Sequence, residues 1–280
     1  MANSAIRVIL SITSSNHFYD YTGILTKTLV YTLNKEVALL HGVRGILQPL
    51  LISPPFTLGK KDLEIGELVA PVYTKDENGK WQLSPLLLDG EYIVHIGGES
   101  RIVKSIENSL NSFRETLSIK IENSIFRFKI EKVEDVTNKI IKNRVALPGK
   151  VKVYLKSPAM IFNVFATTKL PKFSVSAVEV LMTPYMFSKN AYTMNYNVLL
   201  EASRLLGLLV ETWYSIKTAV PIMIPFKGKR EVAMSGYITY LIDTNNKEKL
   251  EEIAGILSLA EILGIGKARQ NGFGTVVVLP

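Results

Sequence analysis

Gly264-Ile-Gly266-Lys267-Ala-Arg269-Gln-Asn271-Gly272-Phe273-Gly274 stands between a helical pattern, Lys247 to Leu263, and a short apolar strand, Thr275-Val-Val-Val-Leu279. The order of these three pieces decides the fold. A dinucleotide-binding turn follows a strand and opens a helix, and a P-loop ends in Gly-Lys-Ser/Thr. Here the helix comes first and the strand last, so both readings fail. What remains is a glycine-rich loop feeding the closing strand of a small sheet. Gly264, Gly266, Gly272 and Gly274 would let backbone N–H groups approach a bulky anion, and Lys267 and Arg269 add charge where phosphates would lie.

Worked outward from that loop, the chain reads as two similar halves. Ala5 to Thr13 is strand-like and Tyr21 to Leu40 helical with a break near Asn34-Lys35. Extended segments follow at Leu50 to Phe56, Leu63 to Tyr73 and Tyr92 to Ile96, then a helix over Ser100 to Thr116 and an extended Ser118 to Val133. After a basic connector, Asn138 to Lys150, the order recurs. Val151 to Phe165 is extended, Asn195 to Lys217 helical, and Ile222 to Pro225 and Val232 to Ile242 extended. Asn245-Asn246 then cap the Lys247 helix. The expected class is α+β, a tandem pair of ferredoxin-like (RRM-like) βαββαβ domains. Pro148-Gly149 marks the boundary between residues 1–147 and 148–280. RNA-recognition modules use the open face of such a sheet, with aromatic residues on the central strands. No convincing copy of that motif is present; Phe126 and Phe128 alternate on one strand and read as core. RNA contact is therefore expected from loops and basic surface.

Composition narrows the function classes. The 280 residues are 47% hydrophobic and carry a formal charge of +8, which favours a polyanionic partner such as nucleic acid. There is no cysteine, which excludes disulfides, thiolate metal sites and a cysteine nucleophile together. His17, His41 and His95 are scattered without metal-ligand spacing, so neither a metal nor another cofactor is expected. The run Arg7 to Ile12 is too short for a signal-peptide core. The apolar stretch Val198 to Trp213 is interrupted by Glu201, Arg204 and Glu211, unlike a membrane span. The expectation is a soluble cytoplasmic protein with no membrane partner, monomer or homodimer.

Two basic surfaces and one helix hold the candidate chemistry. Between Lys129 and Lys156 stand eight cations (Lys129, Lys132, Lys139, Lys142, Arg144, Lys150, Lys152, Lys156) against three acids. They line either a phosphate groove or a solvated linker. Lys227, Lys229 and Arg230, split by Gly228, form a second basic turn. In the first helix Leu25, Leu29 and Leu33 make one stripe for the core, while Lys27 and Tyr31, spaced i, i+4, share another face. His41-Gly42 ends the following segment, with Arg44 three residues on. Histidine there serves as a helix cap or, with Tyr31 and a nearby cation, as an acid–base group for phosphoryl chemistry.

These residues carry a resemblance. Leu29-Val30-Tyr31, Leu40-His41, Ser53-Pro54, Leu155-Lys156-Ser157-Pro158 and the Gly264 to Gly274 loop occur in the order found in the CRISPR-associated repeat-RNA processing endoribonucleases, the sixth CRISPR-associated protein family. The chain resembles that family along its whole length, and the family's tandem ferredoxin-like fold agrees with the element order. The resemblance implies CRISPR repeat RNA as partner and metal-independent cleavage within each repeat. In that reaction the ribose 2′-OH attacks the adjacent phosphate and leaves a 2′,3′-cyclic phosphate. It assigns Tyr31 and His41 to the acid–base pair. Leu47 and Gln48 stand where some members place a lysine, so Lys27, Arg44 or Arg230 must stabilise the transition-state charge. Lys156, Lys229, Lys267, Arg269 and the four loop glycines are the expected RNA contacts. The alternatives are a noncatalytic RNA-binding subunit of a CRISPR interference complex, and a metabolic enzyme binding a small phosphate ester.

Overall fold

Strand β1 (Asn3–Ser14) is apolar at every second position, and Ile6, Val8, Leu10 and Ile12 are all buried on one side. That alternation fixes the first half, because a strand turns successive side chains to opposite faces. We describe a computed structural model, which covers residues 2–39, 48–60, 64–75, 77–142, 149–161 and 174–280. After β1 come helices α1 (Gly23–Leu33) and α2 (Lys35–Leu39), then strands β2 (Leu50–Ile52), β3 (Phe56–Leu58) and β4 (Ile65–Leu68). A small hairpin, β5 (Val72–Lys75) with β6 (Trp81–Ser84), leads to β7 (Asp89–Glu99) and α3 (Ser100–Ser112). Strands β8 (Leu117–Ile121) and β9 (Ser124–Asp135) and helix α4 (Thr137–Lys142) complete this half.

The second half opens on β10 (Lys150–Ala159), followed by α5 (Ala177–Val180), α6 (Met182–Ser188) and α7 (Tyr196–Leu206). Then come β11 (Leu209–Glu211), α8 (Ser215–Thr218), β12 (Ala219–Phe226), β13 (Lys229–Ile242), α9 (Lys247–Leu263) and β14 (Val276–Leu279). The first sheet runs β4-β3-β7-β1-β9-β8, with β2 also on β7; the second runs β11-β13-β10-β14, with β12 also on β13. In the first, β1 lies between β7 and β9, and in the second β10 lies between β13 and β14, antiparallel to both neighbours in each case. The chain is thus α+β, two ferredoxin-like units in tandem, although the expected boundary at 147/148 falls among residues outside those described.

One core lies between α1, α3 and the first sheet, and it includes Phe126 and Phe128. The other packs α7 and α9 on the second sheet. The break after α1 is real: Asn34 is extended, its Oδ1 accepts from the Val37 N–H, and its amide donates to Ser105 and Ser109 on α3. Asn195 and Asn246 cap α7 and α9 through side-chain oxygens. Two expectations need correction. The helix over Asn195 to Lys217 stops at Gly207, and Leu209–Glu211 pairs with β13 instead. Gly207 disfavours the helix, and Val210, Thr212, Trp213 and Tyr214 after it supply none of the strong helix formers (Leu, Glu, Ala, Arg) that fill the last turns of α7. The basic connector also begins as helix α4, whose Ile140 is buried against Ala5 and Ile262.

Candidate functional site

Helix α1 starts at a glycine because nothing larger fits. A Cβ on Gly23 would stand 2.0 Å from the Asn271 carbonyl oxygen of the glycine-rich loop. Leu25 and Leu29 are buried and Leu33 packs against the same core, so the face carrying Lys27 and Tyr31 turns to that loop. Lys27 Nζ donates to Asn271 Oδ1 at 2.8 Å, and Tyr31 Oη donates to Gln270 Oε1 at 2.8 Å. The ammonium also lies 5.3 Å from the Tyr31 ring centroid. The structure therefore brings together two residues from the beginning of the chain and two from its end.

The loop is braced from both sides by serine–proline pairs. Ser53 Oγ accepts from the His95 N–H of β7, the Ser53 carbonyl accepts from Thr26 Oγ1 on α1, and Pro54 abuts Gly272. On the other side Ser157 Oγ accepts from the Thr275 N–H and the Pro158 carbonyl from the Gly274 N–H. Tyr21, fully buried, donates to the Gly272 carbonyl at 2.8 Å and stacks on Phe273 with centroids 4.6 Å apart.

This construction corrects the expected role of the loop. Gly264, Gly266, Gly272 and Gly274 all take positive φ, but the space a side chain would need is filled by protein. A Cβ on Gly274 would lie 2.0 Å from the Ile265 carbonyl oxygen, and one on Gly272 would lie 2.8 Å from Gly23 Cα. The N–H groups of Gly264, Ile265, Lys267, Asn271, Gly272 and Gly274 already donate to backbone carbonyls. The glycines position the loop instead of cradling an anion. Arg269 is corrected for the same reason. It is 4% exposed, donates to the Leu263 and Gln48 carbonyls and lies over the Phe187 ring. Burial lowers its pKa, and it is not placed to meet a phosphate. Lys267 remains exposed on the loop.

A second element closes on the site. Lys227, at φ 51°, and Gly228 form the tip of the β12–β13 hairpin, and the Lys227 N–H donates to both carboxylate oxygens of Asp20 at 3.0 and 2.8 Å. Burial, and then the charge of Lys227, lowers the Lys27 ammonium to about 8. Burial pushes the Tyr31 phenol upward, so it holds its proton across the physiological range. Lys229 and Arg230 are exposed beside the tip, and Arg230 lies over Tyr73, 5.4 Å from its centroid. Lys156 is half-buried, its Nζ 3.4 Å from the Gly66 carbonyl at the junction of the two sheets. The long basic cluster divides, because Lys129 and Lys132 pair with Glu131 and Glu134 on β9. His41 and Arg44 lie outside the described residues. Gln270 and Asn271 escaped the sequence reading, because a neutral amide gives no charge signal and only the fold puts them on α1.

With this geometry in place, a family model described as CRISPR-associated endoribonuclease Cas6 matches residues 180–276, from the end of α5 through the glycine-rich loop into β14. The chain resembles the Cas6 family. A product complex of a Cas6 from Thermus thermophilus superposes with a TM-score of 0.63 at 13% identity, covering 99% of this chain and 100% of the other. A Cas6-related protein from Pyrococcus furiosus gives 0.58 at 9% identity, covering 99% of each chain. A structure titled as a RAMP protein binding different RNA substrates gives 0.54 at 11% identity, covering 99% of this chain and 100% of the other. At such identities the likeness of these Cas6 structures is one of fold. Comparison with curated proteins gives no match.

Proposed function

We propose that the chain is an endoribonuclease that cuts precursor CRISPR RNA within its repeats, at the junction of α1 with the glycine-rich loop. The observation that carries this reading is the convergence of Lys27 and Tyr31 on Gln270 and Asn271, in a loop inside the stretch that matches the Cas6 model. An ammonium, a phenol and two carboxamides offer charge and proton donors. They lack the carboxylates that a Mg²⁺ ion would take.

The reaction follows from those groups. A base removes the ribose 2′-OH proton; His41 takes this part by resemblance. The 2′-oxygen attacks phosphorus as the bond to the 5′-oxygen breaks, leaving a 2′,3′-cyclic phosphate on one fragment. Tyr31, protonated because burial raises its pKa, donates to the departing 5′-oxygen, which leaves as a hydroxyl. Lys27 offsets the charge that builds on the phosphoryl oxygens, with Arg44 and Arg230 as further cations.

The test is a panel of labelled CRISPR repeats, with and without chelator. The expected result is cleavage of at least one repeat, unchanged by chelator and abolished by a single 2′-deoxy substitution at the cut. Tyr31→Phe should slow single-turnover cleavage on the order of 10²-fold with little change in Kd. Tight binding without cleavage across the panel would favour the noncatalytic subunit reading, and loss of activity in chelator would overturn the mechanism.

A further inference from the structure

The second sheet carries a surface that the cleavage site does not use. Tyr154 on β10 and Tyr237 on β13 stand opposite each other in the register. Their ring centroids are 5.1 Å apart at an interplanar angle of 36°. Lys152 Nζ lies over both, 5.5 Å from the Tyr154 centroid and 4.8 Å from that of Tyr237. The intervening residues Val151, Val153, Ile238 and Tyr240 are buried beneath α7 and α9, so strand alternation turns the tyrosines and Lys152 to the other face. Both rings are only half-buried, and on the adjoining rows Leu241 and Leu279 are 39% and 44% exposed. Lys150 pairs with Leu241, and Lys152 with Thr239 and Leu279; none of these positions is acidic.

We infer that this face binds single-stranded RNA, with bases stacked on Tyr154 and Tyr237 and phosphates met by Lys150 and Lys152. The inference rests on the reading of the chain as an RNA-processing protein. Its own support is local. Two aromatic rings on the central strands of a partly exposed sheet face are a sequence-tolerant platform for unpaired bases. The two lysines, with no acid facing them in the register, favour an anionic partner. Chain separation hides the pair from a linear reading, since Tyr154 and Tyr237 meet only through the β10–β13 register. The occupant would be a flank of the repeat or of its neighbouring spacer, held apart from the bond cut at Tyr31.

The test compares three RNAs in filter binding: a cleaved repeat with single-stranded flanks, the same repeat trimmed, and an unstructured pyrimidine 12-mer. Tyr154→Ala with Tyr237→Ala should weaken the flanked repeat and the 12-mer on the order of tenfold per lost ring. The paired Tyr→Phe change should keep affinity, and trimmed-repeat affinity should hold within about twofold in every variant. Lys152→Gln, which leaves both rings in place, should reduce the magnitude of the 12-mer's log–log salt slope by roughly 0.7. Unchanged flanked-repeat and 12-mer affinity in both the Ala pair and Lys152→Gln overturns the inference while leaving the cleavage reading intact. A change in oligomeric state instead of RNA affinity overturns it too, and makes the face a contact between copies. If the wild type cleaves no repeat yet binds the 12-mer in a tyrosine-dependent way, the cleavage reading fails and the platform stands.

Discussion

Ala5 faces Gly97 across the central strands of the first sheet, and Tyr154 faces Tyr237 across those of the second. The two sheets share one strand order, yet the small pair lets a helix come down on the sheet and the large pair does not. Beside Gly97, the His95 ring meets the Ile262 carbonyl at 3.2 Å, and Ala5, Ile93, Ile262 and Leu263 share one buried cluster. Helix α9 is therefore covered twice, by its own sheet and by the other half's. The difference explains a division of labour. The first half gives up its open face to hold the end of α9, and so fixes the loop that begins at Gly264 against α1. Among the described residues, the second half leaves its tyrosine-bearing face partly exposed.

Gly97→Ala should break that comparison most severely. A Cβ there would stand 1.7 Å from the Ile262 carbonyl oxygen, and backbone cannot rotate away as a flexible side chain can. Relieving the clash lifts the last turn of α9 from β7 and carries the loop with it. The expected loss is about 3 kcal/mol or more of stability, measured by chemical denaturation, with cleavage falling in parallel. Wild-type stability in this variant would mean that α9 does not seal the first sheet.

The next largest effect concerns how the second half tunes a residue of the first. Lys27 gives up its proton near pH 8, lowered by burial and then by Lys227. Below that pH it is a cation; above it the charge needed in the transition state is lost. The cleavage rate should therefore fall as pH rises through about 8. Lys227→Asn keeps a residue that tolerates φ > 0 and leaves the N–H bond to Asp20, but removes the neighbouring charge. Its falling limb should shift to higher pH, and Lys27→Arg should move the limb out of the measurable range. Superimposable pH–rate profiles for all three proteins would remove Lys27 from the mechanism.

Much of this division was legible in the sequence, and the reason is periodicity. The alternation of β1, the leucine stripe of α1 and the asparagine cap of α9 are local signals, and each of these elements formed where its pattern stood. The α1 residues Lys27 and Tyr31 stood out for the same reason. The chemistry of the loop did not follow from composition. Glycines and an arginine in sequence look like an anion cradle. Only long-range packing shows that Gly272 makes room for Gly23 and that Arg269 is consumed by the Leu263 and Gln48 carbonyls. Tyr154 and Tyr237 were hidden for a related reason, since cross-strand register is set by the whole sheet.

The smallest expected effect probes the sealed face by its cost. Glu261, on the last turns of α9, accepts from the Val278 N–H at 2.7 Å and lies near Arg7 of β1. Burial pushes its carboxyl up to about 7, against the opposing pull of that N–H and of Arg7. The sign follows directly. Between the ordinary carboxylate range and pH 7 the native state holds a proton that the unfolded chain has released, so stability falls as pH rises through that window. Glu261→Gln cannot ionise, and its amide oxygen can still accept from Val278. The variant should match the wild type near pH 4 and exceed it at pH 8, by on the order of 2–3 kcal/mol, the pull of Arg7 being already contained in the raised value. For a chain of this size that is a shift of roughly 5 °C in Tm. Parallel stability curves from pH 4 to 8 would show that sealing the first sheet under α9 carries no such penalty, and would remove this electrostatic contrast between the two faces.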